Sequence, residues 1–171
     1  MKKKKVLGID YGDFSIGLAI FDLETDFIFP YKTIFRDKAN VLRKSIREII
    51  EIIKVENITD IVIGLPLNAD GTEGDRVEKV KNFAHMLENA IANATKKNND
   101  VEMNKIIEAS QTVGASYASP NIYFLDERLT TVEAKTILAE RGIKKTDWKK
   151  IIDQIAAELI LQDYKHNNKI N

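Results

Sequence analysis

The chain has 171 residues, 44% apolar and 30% charged, which suits one soluble globular domain with a sizeable core. Its 26 basic and 26 acidic residues cancel, which argues against a protein that coats nucleic acid by bulk charge and leaves only local patches. With no cysteine there is no disulfide, thiol nucleophile or zinc–thiolate site, and no apolar run approaches the ~20 residues that span a membrane.

Met1-Lys2-Lys3-Lys4-Lys5 has the charge of a secretory leader. The apolar stretch after it is only Val6 to Ile9 before Asp10 interrupts, so a leader is rejected and a cytoplasmic location expected. Three extended segments follow: Lys5 to Ile9, Ile16 to Asp22, and Phe27 to Phe35, where Pro30 suggests an edge strand. Val41, Leu42, Ile46, Ile49, Ile50 and Ile53 fall at helical spacing. Ile58 to Leu65 is a nearly continuous apolar run, as in a central strand buried on both faces. Residues 66–75 (PLNADGTEGD) form a turn-rich loop, and a helix is predicted from about Asp75 to Ile91.

Residues 93–121 are rich in Asn, Ser, Ala and Lys. They are predicted to hold one short helix around Val101 to Ala109 within a flexible excursion, too poor in apolar residues for a core of their own. Ile122 to Leu125 make a strand that ends in Asp126-Glu127-Arg128. Thr130 to Glu133 has capping-box spacing and opens a helix that stops at Gly142, and a last helix runs from about Asp147 to Tyr164. The order β-β-β-α-β-α-β-α-α implies an α/β fold: a mixed five-stranded sheet, an antiparallel meander plus parallel strands, with helices on both faces. The chain is therefore read as a single domain, 1–171.

Four acids stand out. Asp10, Asp126 and Glu127 each end a strand that otherwise reads as buried, where an unpaired carboxylate costs several kcal/mol to desolvate. Asp153 shares a helix side with Ala157, Ile160 and Tyr164, interrupting an apolar face. The main stripe of that helix is Trp148, Ile151, Ile152, Ile155 and Leu159. Converging carboxylates are the usual way to hold Mg²⁺ or Mn²⁺, and two such ions serve phosphodiester hydrolysis. Taken singly, each acid reads more readily as a helix cap or an ion-pair partner; three or four at core edges together shift the reading toward a metal site. His85 and His166 read as surface or structural residues. The lysine-rich start and the cluster Arg141, Lys144, Lys145, Lys149 and Lys150 read as solvated charge. No G-x-S-x-G elbow supports a serine triad.

GIDYGDFSIGLAI, IVIGLPLNADGTEGDRVEKVKNFA, LDERLTTVEA and DQIAAELILQDY together resemble the YqgF (RuvX) family, a branch of the RNase H-like superfamily related to the resolvase RuvC. The resemblance covers about residues 5–92 and 122–165. GLPLN-x-DGTE followed by DERLTT is its most specific part. It implies a hydrolase, a nuclease that processes the 5′ end of pre-16S rRNA in ribosome biogenesis, with Holliday-junction resolution as the older proposal. The family's acidic site maps onto Asp10, Asp126, Glu127 and Asp153 as catalytic residues and ligands of two Mg²⁺ or Mn²⁺ ions. Where related nucleases carry an acid after the fourth strand, this chain has Asn68. Family members usually join the second helix to the DER strand by a short connection, so residues 93–121 look like an insertion.

Around those acids, Gly12, Asn68, Thr72, Arg76 and Arg128 are candidate substrate contacts. Gly12 leaves room for a phosphate backbone or simply closes a turn; Arg76 and Arg128 would neutralise phosphate charge, and Arg128 could equally orient a carboxylate. The expected partners are an rRNA precursor and the pre-ribosomal particle, with branched DNA as the alternative substrate. A monomer or weak homodimer is expected, for no coiled coil is visible. Two further readings are a non-catalytic RNA-binding assembly factor and an actin-like ATPase or sugar kinase. The last shares the early D-x-G but needs two such domains, for which 171 residues leave no room.

Overall fold

The computed structural model describes residues 4–36, 42–68, 70–108, 119–127 and 130–168, and the side chains of these except 97–108 and 130–131. β1 (Lys5–Tyr11), β2 (Ser15–Asp22) and β3 (Phe27–Phe35) form an antiparallel meander. β4 (Ile58–Leu65) runs parallel to β1, and β5 (Asn121–Asp126) runs parallel to β4. The strand order β3-β2-β1-β4-β5 is the mixed five-stranded sheet expected from the sequence. Among the described residues there are four helices: α1 (Leu42–Glu56), α2 (Asp75–Glu108), α3 (Thr130–Glu140) and α4 (Lys145–Asn167).

Because side chains alternate along a strand, the sheet has two different faces. Leu7, Ile9, Ile16, Leu18, Ile20, Ile61 and Ile63 point to one face. There they pack with Ile46, Ile49 and Ile53 of α1 and Val80, Phe83, Leu87 and Ile91 of α2 in the larger core. Val6, Ala19, Phe21 and Val62 point to the other face and meet Ala157, Ile160 and Leu161 of α4. α4 buries a second side: Trp148, Ile151, Ile152, Ile155 and Leu159 pack with Ala134, Ile137 and Leu138 of α3. The bulkier stripe of α4 thus holds α3, and the less bulky side that carries Asp153 lies on the sheet.

Small residues permit that approach. A Cβ on Gly8 would lie 2.6 Å from Leu161 Cγ and 2.8 Å from the Ala157 carbonyl oxygen, too close for any side chain but hydrogen. Pro30 sits on the edge strand β3, beside a register shift at Leu18/Ala19, where its missing N–H leaves no gap in the sheet interior.

One boundary differs from expectation. α2 does not stop near Ile91 but continues to Glu108, absorbing most of the short helix expected at Val101 to Ala109. Residues 75–108 contain neither Gly nor Pro, so nothing in their backbone chemistry ends the helix. Among the described side chains, those of α2 pack in or against the larger core as far as Ile91 and Ala94. Residues 109–118, the rest of the expected excursion, lie outside the described residues, as do Val41 and Arg128.

Candidate active site

Asp10 is the sixth residue of β1 and alternates with Val6 and Gly8 toward α4. It is only 9% exposed. Its cross-strand partner on β2 is Gly17. A Cβ on Gly17 would collide with the carbonyl group of Asp153, so the α4 backbone rests on this glycine and brings Asp153 beside Asp10. From the other side, a Cβ on Gly64 at the end of β4 would collide with the Glu127 carboxylate. Glu127 is held there by its N–H, which donates to the Leu65 carbonyl (3.0 Å) and carries the β4–β5 ladder one step past the strand.

Asp10, Glu127 and Asp153 therefore share one space at the carboxyl ends of β1 and β4. Burial pushes the Asp10 carboxyl well above the usual carboxylate range. The charges of Glu127 and Asp153 and a hydrogen bond with Glu127 push in the same direction, and Arg76 opposes them. Ionising Asp10 is costly there because its neighbours are like charges and little water reaches it.

Asp126 is placed differently, and the strand it ends is not the buried one expected: β5 is an edge strand of exposed and half-buried residues, with Asp126 exposed at its end. It pairs in register with Leu65 and alternates with Ile122 and Phe124, so its position belongs to the α1–α2 face of the sheet. Of the two adjacent acids, the structure puts Glu127 against Asp10.

The donor set, all carboxylate oxygens at a water-accessible strand end, is the kind a hard cation takes. Among the described residues, no three His, Cys, Asp or Glu side chains are drawn tightly enough to hold an ion as they stand. Asp10 is buried with the like charges of Glu127 and Asp153 beside it, an arrangement that a bound cation would relieve. By this test the residues fit a divalent metal.

The expected substrate contacts divide. Gly12 donates its N–H to the Ser15 carbonyl (2.9 Å), and a Cβ on it would lie 3.1 Å from that same oxygen, so its small size serves the hairpin turn. Asn68 and Thr72 bind each other: Asn68 Nδ2 donates to Thr72 Oγ1 (2.9 Å), and the Asn68 N–H donates to the Thr72 carbonyl (2.9 Å). Thr72 Oγ1 also donates to Asp70 Oδ1 (2.6 Å), and Gly71 turns the loop at φ +84°. These residues thus shape the loop that leads into α2. Arg76, in the first turn of α2, is exposed, and its charge reaches both Asp10 and Asp13.

Arg36 had no signal in the sequence beyond its place after β3. It is buried, with its guanidinium 4.6 Å from the Tyr11 ring centroid, and Tyr11 in turn stacks on Phe83 at 4.4 Å. Its Nη1 donates to the Tyr11 hydroxyl (3.1 Å), its Nη2 to the Gly12 carbonyl, and its backbone N–H to the Phe14 carbonyl (2.7 Å). Asp13 at the hairpin tip accepts from Lys79 Nζ of α2 at 2.8 Å. That hydrogen bond, with the charges of Lys79, Arg76 and Arg36, holds Asp13 below the usual carboxylate range.

A sequence profile of the RuvX family, described as Holliday junction resolvase, matches residues 4–166. A protein of Lachnospira eligens named "Putative pre-16S rRNA nuclease" is 32% identical over 165 residues, covering 96% of this chain and 99% of the relative. A relative of the same name from Acetivibrio thermocellus is 38% identical over 161 residues, covering 94% of each chain. Among solved structures, T. thermophilus RuvC in complex with a Holliday junction substrate superposes with a TM-score of 0.52 over 96% of both chains at 10% identity, a likeness of fold alone. With this RNase H-like sheet and a profile match over nearly its whole length, the chain belongs to the RuvX family of nucleases.

Proposed function

We propose that this chain is a divalent-metal-dependent endonuclease that hydrolyses phosphodiester bonds in structured RNA, processing the 5′ end of pre-16S rRNA in the cytoplasm. The observation that carries the reading is Asp10, buried at the end of β1 with Glu127 and Asp153 against it. Asp10, Glu127 and Asp153 would hold Mg²⁺ or Mn²⁺, with Asp126 the adjacent carboxylate. Bound there, the two ions would activate a water and stabilise the leaving oxygen.

The chain's own residues do the rest. Gly17 and Gly64 keep the three carboxylates close, and Arg76 offsets their charge and draws the phosphate backbone. Substrate is met as a monomer or weak homodimer, with the pre-ribosomal particle as context.

The description of the matching family favours a second reading, branched DNA. A resolvase must place two sites on symmetry-related strands and so requires a dimer. Purified protein incubated with Mn²⁺ and an rRNA-precursor fragment, a four-way DNA junction or single-stranded controls separates the two. Metal-dependent cleavage of the precursor, lost in Asp10→Asn and Asp153→Asn, is expected. Paired symmetric cuts in the junction alone would reverse the order of substrates, and unchanged activity in both variants would sink the site.

A further inference from the structure

Phe14, at the tip of the β1–β2 hairpin four residues beyond Asp10, is 76% exposed. An exposed phenyl ring on a mobile loop would mean little, but the backbone beneath this one is fixed from three directions. The turn is closed by the Gly12 N–H on the Ser15 carbonyl, and the Phe14 carbonyl accepts from the Arg36 N–H. Asp13 is tied to Lys79 of α2. Arg36 is itself clamped on the Tyr11 ring and the Gly12 carbonyl.

The tip thus presents an uncovered aromatic ring on a backbone that is held in place. Near it are Lys79, ion-paired to Asp13, and the exposed Arg76, whose charge also reaches Asp13. An exposed ring alone would equally fit a protein partner. An exposed ring with basic side chains near it, four residues from a carboxylate centre, fits a nucleic-acid strand, whose bases stack and whose phosphates seek positive charge.

We propose that Phe14 is a stacking platform for an unpaired base next to the cleaved phosphate, so that the enzyme requires a single-stranded nucleotide at the cut. This rests on the nuclease reading above and adds the state of the strand it accepts. Arg76 takes a flanking phosphate, and Lys79, held on Asp13, adds its charge along the path of the strand. A base held flat on Phe14 fixes the register of the backbone across Asp10.

The test is binding without turnover, in EDTA, of a fluorescein-labelled 12-nucleotide single-stranded RNA and a blunt 12-base-pair RNA duplex. Phe14→Ala is expected to weaken the single strand roughly 5- to 100-fold and leave the duplex unchanged, while Phe14→Trp restores single-strand affinity. A 2-aminopurine in the single strand should be quenched by the wild type and Phe14→Trp but not by Phe14→Ala. Equal weakening of strand and duplex, or no weakening of either, overturns the stacking role while leaving the nuclease reading in place. Failure of the wild type to bind any RNA overturns both. An unchanged melting temperature in Phe14→Ala confirms that the variant is folded.

Discussion

Gly64 and Glu127 are complementary: the space a side chain would fill on the last turn of β4 is occupied by the Glu127 carboxylate, which meets Asp10 there. Gly64→Ala must therefore move Glu127, and it also meets Ile160 Cδ1 at 2.6 Å. Both neighbours are side-chain ends that can shift, so the variant is expected to fold with a loss of roughly 1–3 kcal/mol. Cleavage should fall about 100-fold, because a carboxylate misplaced by about an ångström no longer serves the reaction. Thermal melts and single-turnover cleavage of the same preparation check the split between the two effects.

Gly17→Ala is expected to behave differently. Its Cβ would strike the backbone of Asp153 rather than the end of a side chain, so α4 as a whole has to move. Stability should fall by at least the roughly 1–3 kcal/mol of ordinary overpacking, and urea titration should show a lowered midpoint. A melt indistinguishable from wild type would contradict the close seat of α4 on β2.

The two adjacent acids should not be equivalent. Glu127→Gln is expected to abolish cleavage as fully as Asp10→Asn, since the Glu127 carboxylate stands against Asp10 in the same cluster. Asp126→Asn, on the alternate strand position in register with Leu65, is expected to keep most of it. Parallel cleavage rates at saturating Mn²⁺ decide this, and a null Asp126→Asn with an active Glu127→Gln would reverse the assignment.

Asp10 also sets a pH dependence. Its folded carboxyl is raised by burial and by its acidic neighbours, so the native state binds its proton more tightly than the unfolded chain does. The favourable contribution is complete below the unfolded value, about 3.9, and is lost as pH rises through the folded value. In EDTA at neutral pH, Asp10→Asn should melt above the wild type, and the gap should close near pH 3.5. Millimolar Mn²⁺ should raise the wild-type melting temperature and leave that of Asp10→Asn nearly unchanged.

A fold of this kind is largely legible in one dimension. The meander, the buried run of Ile58–Leu65 and the two-sided last helix follow from alternation and helical spacing, which are local. Carboxylates at the ends of apolar runs single out Asp10, Asp126 and Glu127 alike, because burying charge is costly whatever the fold. The continuation of α2 past Ile91 carries no apolar periodicity to mark it, although no Gly or Pro interrupts the helix as far as Glu108. Arg36 was missed because its partners, Tyr11, Gly12 and Phe14, lie more than twenty residues away in sequence.

What the sequence determined by itself, then, is the set of elements, the sheet class and a short roster of acids at strand ends. The tertiary structure decided which of those acids meet. Strand register and the parity of the last paired residue turn Glu127 toward α4 and place Asp126 on the opposite face. Gly17 and Gly64 then let Asp153 and Glu127 close on Asp10. Register is fixed by hydrogen bonds between strands distant in the chain, and a one-residue shift would exchange the faces, so no local pattern could have chosen between the two acids.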